Sequence, residues 1–324
     1  MGPREYAVLA LLLTGAKSLV VLHQGWATAW DAQHFQRIAA LGYRDPADYA
    51  FPPLFPLLTA LLSKTAGCDA VAASIIVANF FSYLTPLVVG GLYGFKTALF
   101  LALFPTYVLY TTAPYAEGVA LFFASAALLY AERRPALSST FFALAVLAKY
   151  QMALALPAFV KTWRLRHYLP PAAAVSAVAL WHTAALGSPL AYFEIQRQIW
   201  GAAPATPLQQ AQWILEGWLT AQSWTLFGQR LEPWMWLARN WAIATFFLAG
   251  AVSLRGLHRR YALVQILPHL FTVGTPAISA PRFMLAAFPA LSPYARRVSP
   301  SLYIPAALAL TAFVARWHFE AFFA

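Results

Sequence analysis

Between Asp69 and Lys96 the chain carries no charged residue, and from Thr97 to Ala131 it carries one, Glu117. A chain that so avoids charge is suited to lipid, which a helix crosses in about 20 residues. Composition agrees. Of the 324 residues 61% are hydrophobic and 10% charged, with a mean hydropathy of +0.60, whereas soluble domains carry about 25% charged residues. A soluble fold has no way to hide so much apolar surface, so the sequence predicts an all-α polytopic membrane protein. A formal net charge of +11 would suggest nucleic acid in a soluble protein. Here the basic residues fall mainly in short clusters between apolar runs, as the positive-inside rule describes. The expected partners are anionic membrane lipids, with no nucleic acid and no obligatory protein partner. The lone cysteine, Cys68, rules out an internal disulfide and a cysteine-based metal cluster.

Candidate spans lie near 6–22, 52–66, 168–186, 236–254 and 302–316, with shorter or broken ones at 70–95, 97–131, 137–160, 261–273 and 283–293. Together they predict about 11 to 13 membrane or broken helices in a single domain, 1–324. Lys17 interrupts the first run, which favours a retained helix over a signal peptide cleaved at Ala27-Thr28-Ala29. The clusters Arg133-Arg134, Lys161 to His167, Arg255 to Arg260 and Arg296-Arg297 are expected to be cytoplasmic. Arg134 and Lys161 share a side only if the chain between them turns back, at Lys149-Tyr150. Parity likewise breaks 97–131 at Ala113-Pro114-Tyr115-Ala116-Glu117-Gly118, where Pro and Gly are breakers. Broken helices at membrane depth persist only where protein buries them or they line a cavity.

This topology gathers polar groups on one outer face: the loop 23–51, Tyr115 with Glu117, Lys149 with Tyr150, the segment Gly187–Trp234, and Gly274–Arg282. Asp31, followed by His34 and Arg37, leads the candidates because an ionisable group beside lipid is expensive and marks a site. Its plainer reading is an N-cap. His34 shares its helical face, while Phe35, Ile38 and Leu41 form a stripe expected to lie on the bilayer. Glu117 and Lys149 have a plainer reading as each other's partners. Arg282 has one as a side chain snorkelling to headgroups, although its planar fork also suits phosphate. Pro52, Pro53 and Pro56 are expected to start the second span. Trp200, Trp213, Trp218, Trp224 and Trp234 suit an interfacial helix pair and equally a sugar-binding groove. His182 and His269 read as core or interface residues.

Trp30-Asp31 with His34-Phe35, Ile38-Ala39 and Gly42-Tyr43, then Ala50-Phe51-Pro52-Pro53-Leu54-Phe55-Pro56, resembles the first outer loop of PIG-V-type mannosyltransferases. Those enzymes belong to the GT-C superfamily of multipass glycosyltransferases. Ala113-Pro114-Tyr115-Ala116-Glu117 is similar to the family's S-P-Y-S/T-E. Pro281-Arg282-Phe283 with Phe288-Pro289 is similar to its P-R-Y/F and F-P element. The matching blocks cover most of the chain in order. Pro52 departs from the family's F-F-P-L-F-P, and Lys149-Tyr150-Gln151 stands where an R-S-N-G-like turn is usual.

The resemblance implies a GT-C fold and transfer of a mannosyl or other hexosyl residue. The donor it implies is a polyprenyl- or dolichyl-phosphate sugar, and the acceptor is a hydroxyl of a glycolipid. On that reading Asp31 is the general base of an inverting displacement. His34, Arg37, Lys149 and Arg282 stabilise the leaving phosphate, while Glu117, Tyr150 and Gln196 contact substrate or orient those cations. The lipid-linked donor is a substrate, and no metal or other cofactor is expected. The site would face outward from a plasma membrane in a prokaryote, or the lumen of the endoplasmic reticulum in a eukaryote. A transporter or lipid flippase is the main rival, since it too has broken helices and buried charges. The Trp30–Pro56 block is not repeated later, and the candidate charges gather on one face; both features favour the enzyme. A non-catalytic subunit of a glycosyltransferase complex is a third reading, disfavoured by the retention of Asp31 with Arg282.

Overall fold

The computed structural model describes the chain except residues 1, 27, 217–224, 227–228, 231–232, 275–276, 278 and 322–324, and the side chains of 225–226, 229–230, 233 and 317–321. Trp218 and Trp224 of the Trp-rich segment, and Ala27, lie outside the described residues. The fold is nearly all helical, with a large connected core whose members run from Leu13 to Ala315.

Helices α1 (Pro3–Gln24) and α2 (Asp31–Leu41) come first, followed by a 3-10 turn (Pro46–Ala50), α3 (Leu54–Ala66) and α4 (Ala70–Tyr93). Then come α5 (Phe95–Ala102), α6 (Pro105–Thr112), α7 (Glu117–Tyr130) and α8 (Pro135–Ala148). A 3-10 segment (Tyr150–Lys161) leads through a 3-10 turn (Leu165–Tyr168) to α9 (Leu169–Leu186), α10 (Ala191–Trp200) and α11 (Pro207–Glu216). The remainder is α12 (Pro233–Val252), α13 (Gly256–Ile266), α14 (Ala280–Met284), a 3-10 segment (Leu285–Leu291), α15 (Ser292–Arg297) and α16 (Pro300–Ala321).

Local chemistry explains many boundaries. Proline, whose missing N–H costs nothing in a first turn, starts α1, α6 and α8. Asp69 caps α4 by accepting from the Ala72 N–H at 2.7 Å, and left-handed Gly67 and Gly187 close α3 and α9.

Among the described residues four helices are long and apolar enough to cross a membrane: Pro3–Gln24, Ala70–Tyr93, Leu165–Leu186 and Trp234–Val252. A fifth crossing is available if α6 and α7, bent by 119° at their break, act together. This is a membrane protein by those helices. The break falls at Ala113–Ala116, inside the expected stretch, and α8 ends at Ala148, one residue before the expected break at Lys149-Tyr150. The region 70–95, read as short or broken, is instead one continuous helix that accommodates Pro86. The 52–66 region gives only the shorter α3, because Pro52-Pro53 delay its start and Gly67 ends it. The larger number of segments expected from sequence is approached only by counting short helices such as Leu54–Ala66, Pro135–Ala148 and Pro300–Arg316.

Helices α10 and α11 supply the expected pair in the Trp-rich segment. They carry exposed Phe193, Ile199 and Leu208. Small strand pairings accompany them, Ala203–Pro204 with Thr272–Val273 and Thr225–Leu226 with Gln229–Arg230, which the all-α expectation did not include.

The first turn of α7 lies against α4 with no room to spare. A Cβ on Gly118 would fall 2.8 Å from the Ala78 carbonyl oxygen. Gly118→Ala is therefore expected to push α7 off α4, to destabilise by about 1–3 kcal/mol, and to displace Glu117. A thermal melt together with an activity assay checks this; parental values for both would contradict it.

Candidate functional site

Helix α2 begins under backbone strain. Trp30 has φ +55°, the one positive value at a non-glycine among the described residues, in a region that costs such a residue about 1–3 kcal/mol. Trp30, not Asp31, occupies the cap position, and Asp31 is the first helical residue. The capping reading of Asp31 is thus corrected, and its carboxylate is left to turn elsewhere. The stripe of α2 is corrected too. Phe35 and Ile38 are buried in the protein core, with Phe35 edge-on to Phe51 at 5.1 Å and to Phe55 at 5.0 Å. Only Leu41 stays exposed. Aromatic partners on the chain itself outcompete lipid for that face.

Four charges from four parts of the chain meet. Asp31 Oδ2 accepts from Arg282 Nη1 at 2.5 Å, while Arg282 Nε donates to Glu117 Oε1. Lys149 Nζ donates to the same Glu117 oxygen at 2.8 Å. Glu117 and Arg282 are buried, and the Asp31 side chain remains 27% exposed. Aromatic rings complete the surround: Arg282 lies 4.6 Å from the Tyr115 centroid and Lys149 4.7 Å from that of Phe283. Tyr115 is tied back to the Ala29 carbonyl at 3.2 Å. Glu117 and Lys149 do pair, as their plainer reading held, but Arg282 joins them. Arg282 does not snorkel, because its two carboxylate partners hold it inside the protein.

The arrangement leaves a signal of unfinished chemistry. Glu117 Oε2 is buried without a hydrogen-bond partner among the described residues, an uncommon and costly condition. The crevice between Glu117, Leu121, Lys149, Met152, Arg282, Leu285 and Ala286 is too tight to hold a water molecule as it stands. Room for an anion here requires the side chains that line the crevice to shift.

His34 and Arg37 belong to a separate group. Arg37 Nη2 donates to Asp48 Oδ1, His34 Nδ1 lies 3.2 Å from Arg37 Nη2, and the His34 ring stacks on Phe51 at 4.5 Å. No side-chain hydrogen bond or ion pair joins either to Asp31 among the described residues. Asp48, fully buried, is a residue the sequence reading missed. Its signal was present in Asp45-Pro46-Ala47-Asp48, a capping box in which Asp45 accepts from the Ala47 N–H at 2.9 Å and Asp48 from the Asp45 N–H at 3.1 Å.

Burial pushes the Asp48 carboxyl up, but the hydrogen bonds from Arg37, Asp45 and Arg44 outweigh burial and hold it below the usual carboxylate range. A folded pKa below the unfolded one gives stability that is complete above the unfolded value and lost as pH falls through the folded one. Amide exchange in 41–51, corrected for intrinsic rates, is expected to accelerate below about pH 4. In Asp48→Asn it should be fast at every pH; unchanged protection in that variant would contradict the anchoring role.

Tyr150 packs on Tyr192 at 5.0 Å, and its hydroxyl is buried and unpartnered among the described residues. Gln196 is half-buried on α10, and the described contacts do not bring its side chain to the charge cluster. Behind Phe283, Gln151 donates to its carbonyl at 2.8 Å and lies 3.0 Å from His269 Nε2. His269 stacks on the Phe283 ring at 5.2 Å. His269 was read only as a core or interface residue and Gln151 only as part of the Lys149-Tyr150-Gln151 turn, since nothing local in sequence pairs positions so far apart. No group of three or more His, Cys, Asp and Glu residues that could hold a metal occurs among the described residues.

Comparisons of the chain with models of protein families, with curated proteins and with solved structures find no significant match.

Proposed function

We propose that this protein is a multipass membrane glycosyltransferase of the GT-C kind. On this reading it moves a mannosyl or other hexosyl residue from a polyprenyl-phosphate donor to a glycolipid hydroxyl at the outer or lumenal face. One observation carries the reading. Asp31, Glu117 and Arg282, from three separate blocks resembling the PIG-V-type family, converge with Lys149 into one buried, charge-linked cluster.

The chemistry follows from the charges. Arg282 and Lys149 are held beside each other by Glu117 and are suited to a phosphate whose negative charge grows as it leaves. Asp31, partly exposed, takes the proton of the acceptor hydroxyl as that oxygen bonds to the anomeric carbon. The anomeric C–O bond to phosphate breaks and its electron pair stays on the phosphate, so no acid is required. Attack opposite a β-linked phosphate gives an α-linked product. Donor binding draws Arg282 from Asp31 toward phosphate, which frees the base as the nucleophile arrives.

The rival reading, a transporter or flippase, is favoured by Lys17. It is buried within α1, donates to Asn79 Oδ1 and the Thr111 carbonyl at 2.7 Å each, and has no acid partner among the described residues. The deciding experiment gives the purified full-length protein radiolabelled polyprenyl-phosphate-mannose or GDP-mannose, with extracted membrane lipids. Transfer from the lipid-linked donor alone is expected. Transfer from the nucleotide sugar alone, or movement of label across a vesicle without transfer, would sink the proposal.

A further inference from the structure

Tyr150, which follows Lys149 in the chain, belongs to a second group of polar atoms without partners among the described residues. His182, in the last turns of α9, is 1% exposed, and its Nε2 is unpartnered among the described residues, as is the Tyr150 hydroxyl. Their rings are 6.1 Å apart and edge-on. Around them stand Tyr49, 5.8 Å from His182, Trp181, 5.0 Å from Tyr49, and Tyr192 against Tyr150. Tyr43 closes the group, 4.5 Å from Trp181, with its own hydroxyl committed to the Phe51 carbonyl at 2.8 Å. The residues come from the loop after α2, the chain after α8, the end of α9 and α10. Distant segments thus converge on two polar atoms that the fold does not use.

A few polar atoms among aromatic walls is the make-up of a small-molecule site. A single buried water ordinarily makes about three hydrogen bonds, more than these two atoms supply. A pyranose matches the chemistry better, since its C–H face packs on aromatic rings while its hydroxyls both donate and accept; the rings, whose centroids lie 4.5–6.1 Å apart, must part to admit it. Position supports this as well. Tyr150 directly follows Lys149, whose Nζ is 2.8 Å from Glu117, so the two groups are joined through the backbone at this step.

We propose that Tyr43, Tyr49, Tyr150, Trp181 and Tyr192, gathered about His182, form a subsite for one pyranose ring, with Tyr150 Oη and His182 Nε2 binding its hydroxyls. The proposal rests on the glycosyltransferase reading for its ligand class, and its test reads binding without turnover.

The full-length protein in nanodiscs is titrated with octyl mannoside, farnesyl-phosphate-mannose and farnesyl phosphate, and binding is followed by saturation-transfer NMR. The parent is expected to bind both sugar probes, with saturation reaching the ring protons. Tyr150→Phe, which keeps the ring, and His182→Gln should each weaken sugar binding about tenfold, the worth of one hydrogen bond, and leave farnesyl phosphate unchanged. Loss confined to octyl mannoside assigns the ring to the acceptor, and loss confined to farnesyl-phosphate-mannose assigns it to the donor. Parental affinity for both sugar probes in both folded variants overturns the subsite, as does failure of the parent to bind either. If Asp31→Asn is inactive while these variants bind normally, the subsite fails and the enzyme reading stands. If no transfer occurs but the variants lose sugar binding, the reverse holds.

Discussion

Asp31→Asn is expected to lower sugar transfer by about 10²–10⁴-fold, the usual contribution of a positioned general base, while the protein stays folded. The amide keeps the shape of the side chain and an oxygen that accepts from Arg282, so the 2.5 Å contact has a substitute. What disappears is the ability to take a proton. Arg282 also keeps Glu117, so no guanidinium is left stranded. The discriminating measurement pairs transfer rate with a thermal melt in the same preparation. A folded variant with undiminished activity would remove Asp31 from the mechanism. A variant that is inactive because it is unfolded would make its role structural.

The largest effect on stability is expected at Glu117. Its carboxylate is shared by Lys149 at 2.8 Å and by Arg282, and all three side chains are shielded from water. Breaking a buried ion pair by removing one partner costs about 3–5 kcal/mol, because the other charge stays buried without compensation. Glu117→Ala should therefore melt far below the parent. Removing a cation at the same time relieves much of that strain, so Glu117→Ala with Lys149→Met should be more stable than Glu117→Ala alone. Neighbours that share a partner are not additive. Simple additivity of the two substitutions would show that the pair is not coupled as described.

Much of the architecture was legible because it depends on solvent preference, which is written residue by residue. The apolar runs became α1, α4, α9 and α12, and Ala113-Pro114 with Gly118 marked a break that the structure realises as a 119° bend. Lengths were less legible. Pro86 was accommodated inside α4, whereas Pro52-Pro53 and Gly67 cut α3 short. Within the site, Asp31, Glu117, Lys149 and Arg282 stood out one by one, as charges that lipid would not tolerate. The role of Asp48 was written locally in its capping box. The Gln151, His269 and Phe283 association was not, since its members touch only after folding.

The sequence by itself determined that the chain is helical and belongs in a membrane, and where its costly charges lie along it. Local patterning suffices for that, because each residue's preference for water or lipid is its own. Only the tertiary structure decided which charges share a partner. It bound Arg282 to both Asp31 and Glu117, across 251 and 165 residues of chain. It also sent Arg37 to Asp48 and turned the α2 stripe into the core. Those outcomes depend on the packing of helices far apart in sequence, where competition among several possible partners is settled by geometry.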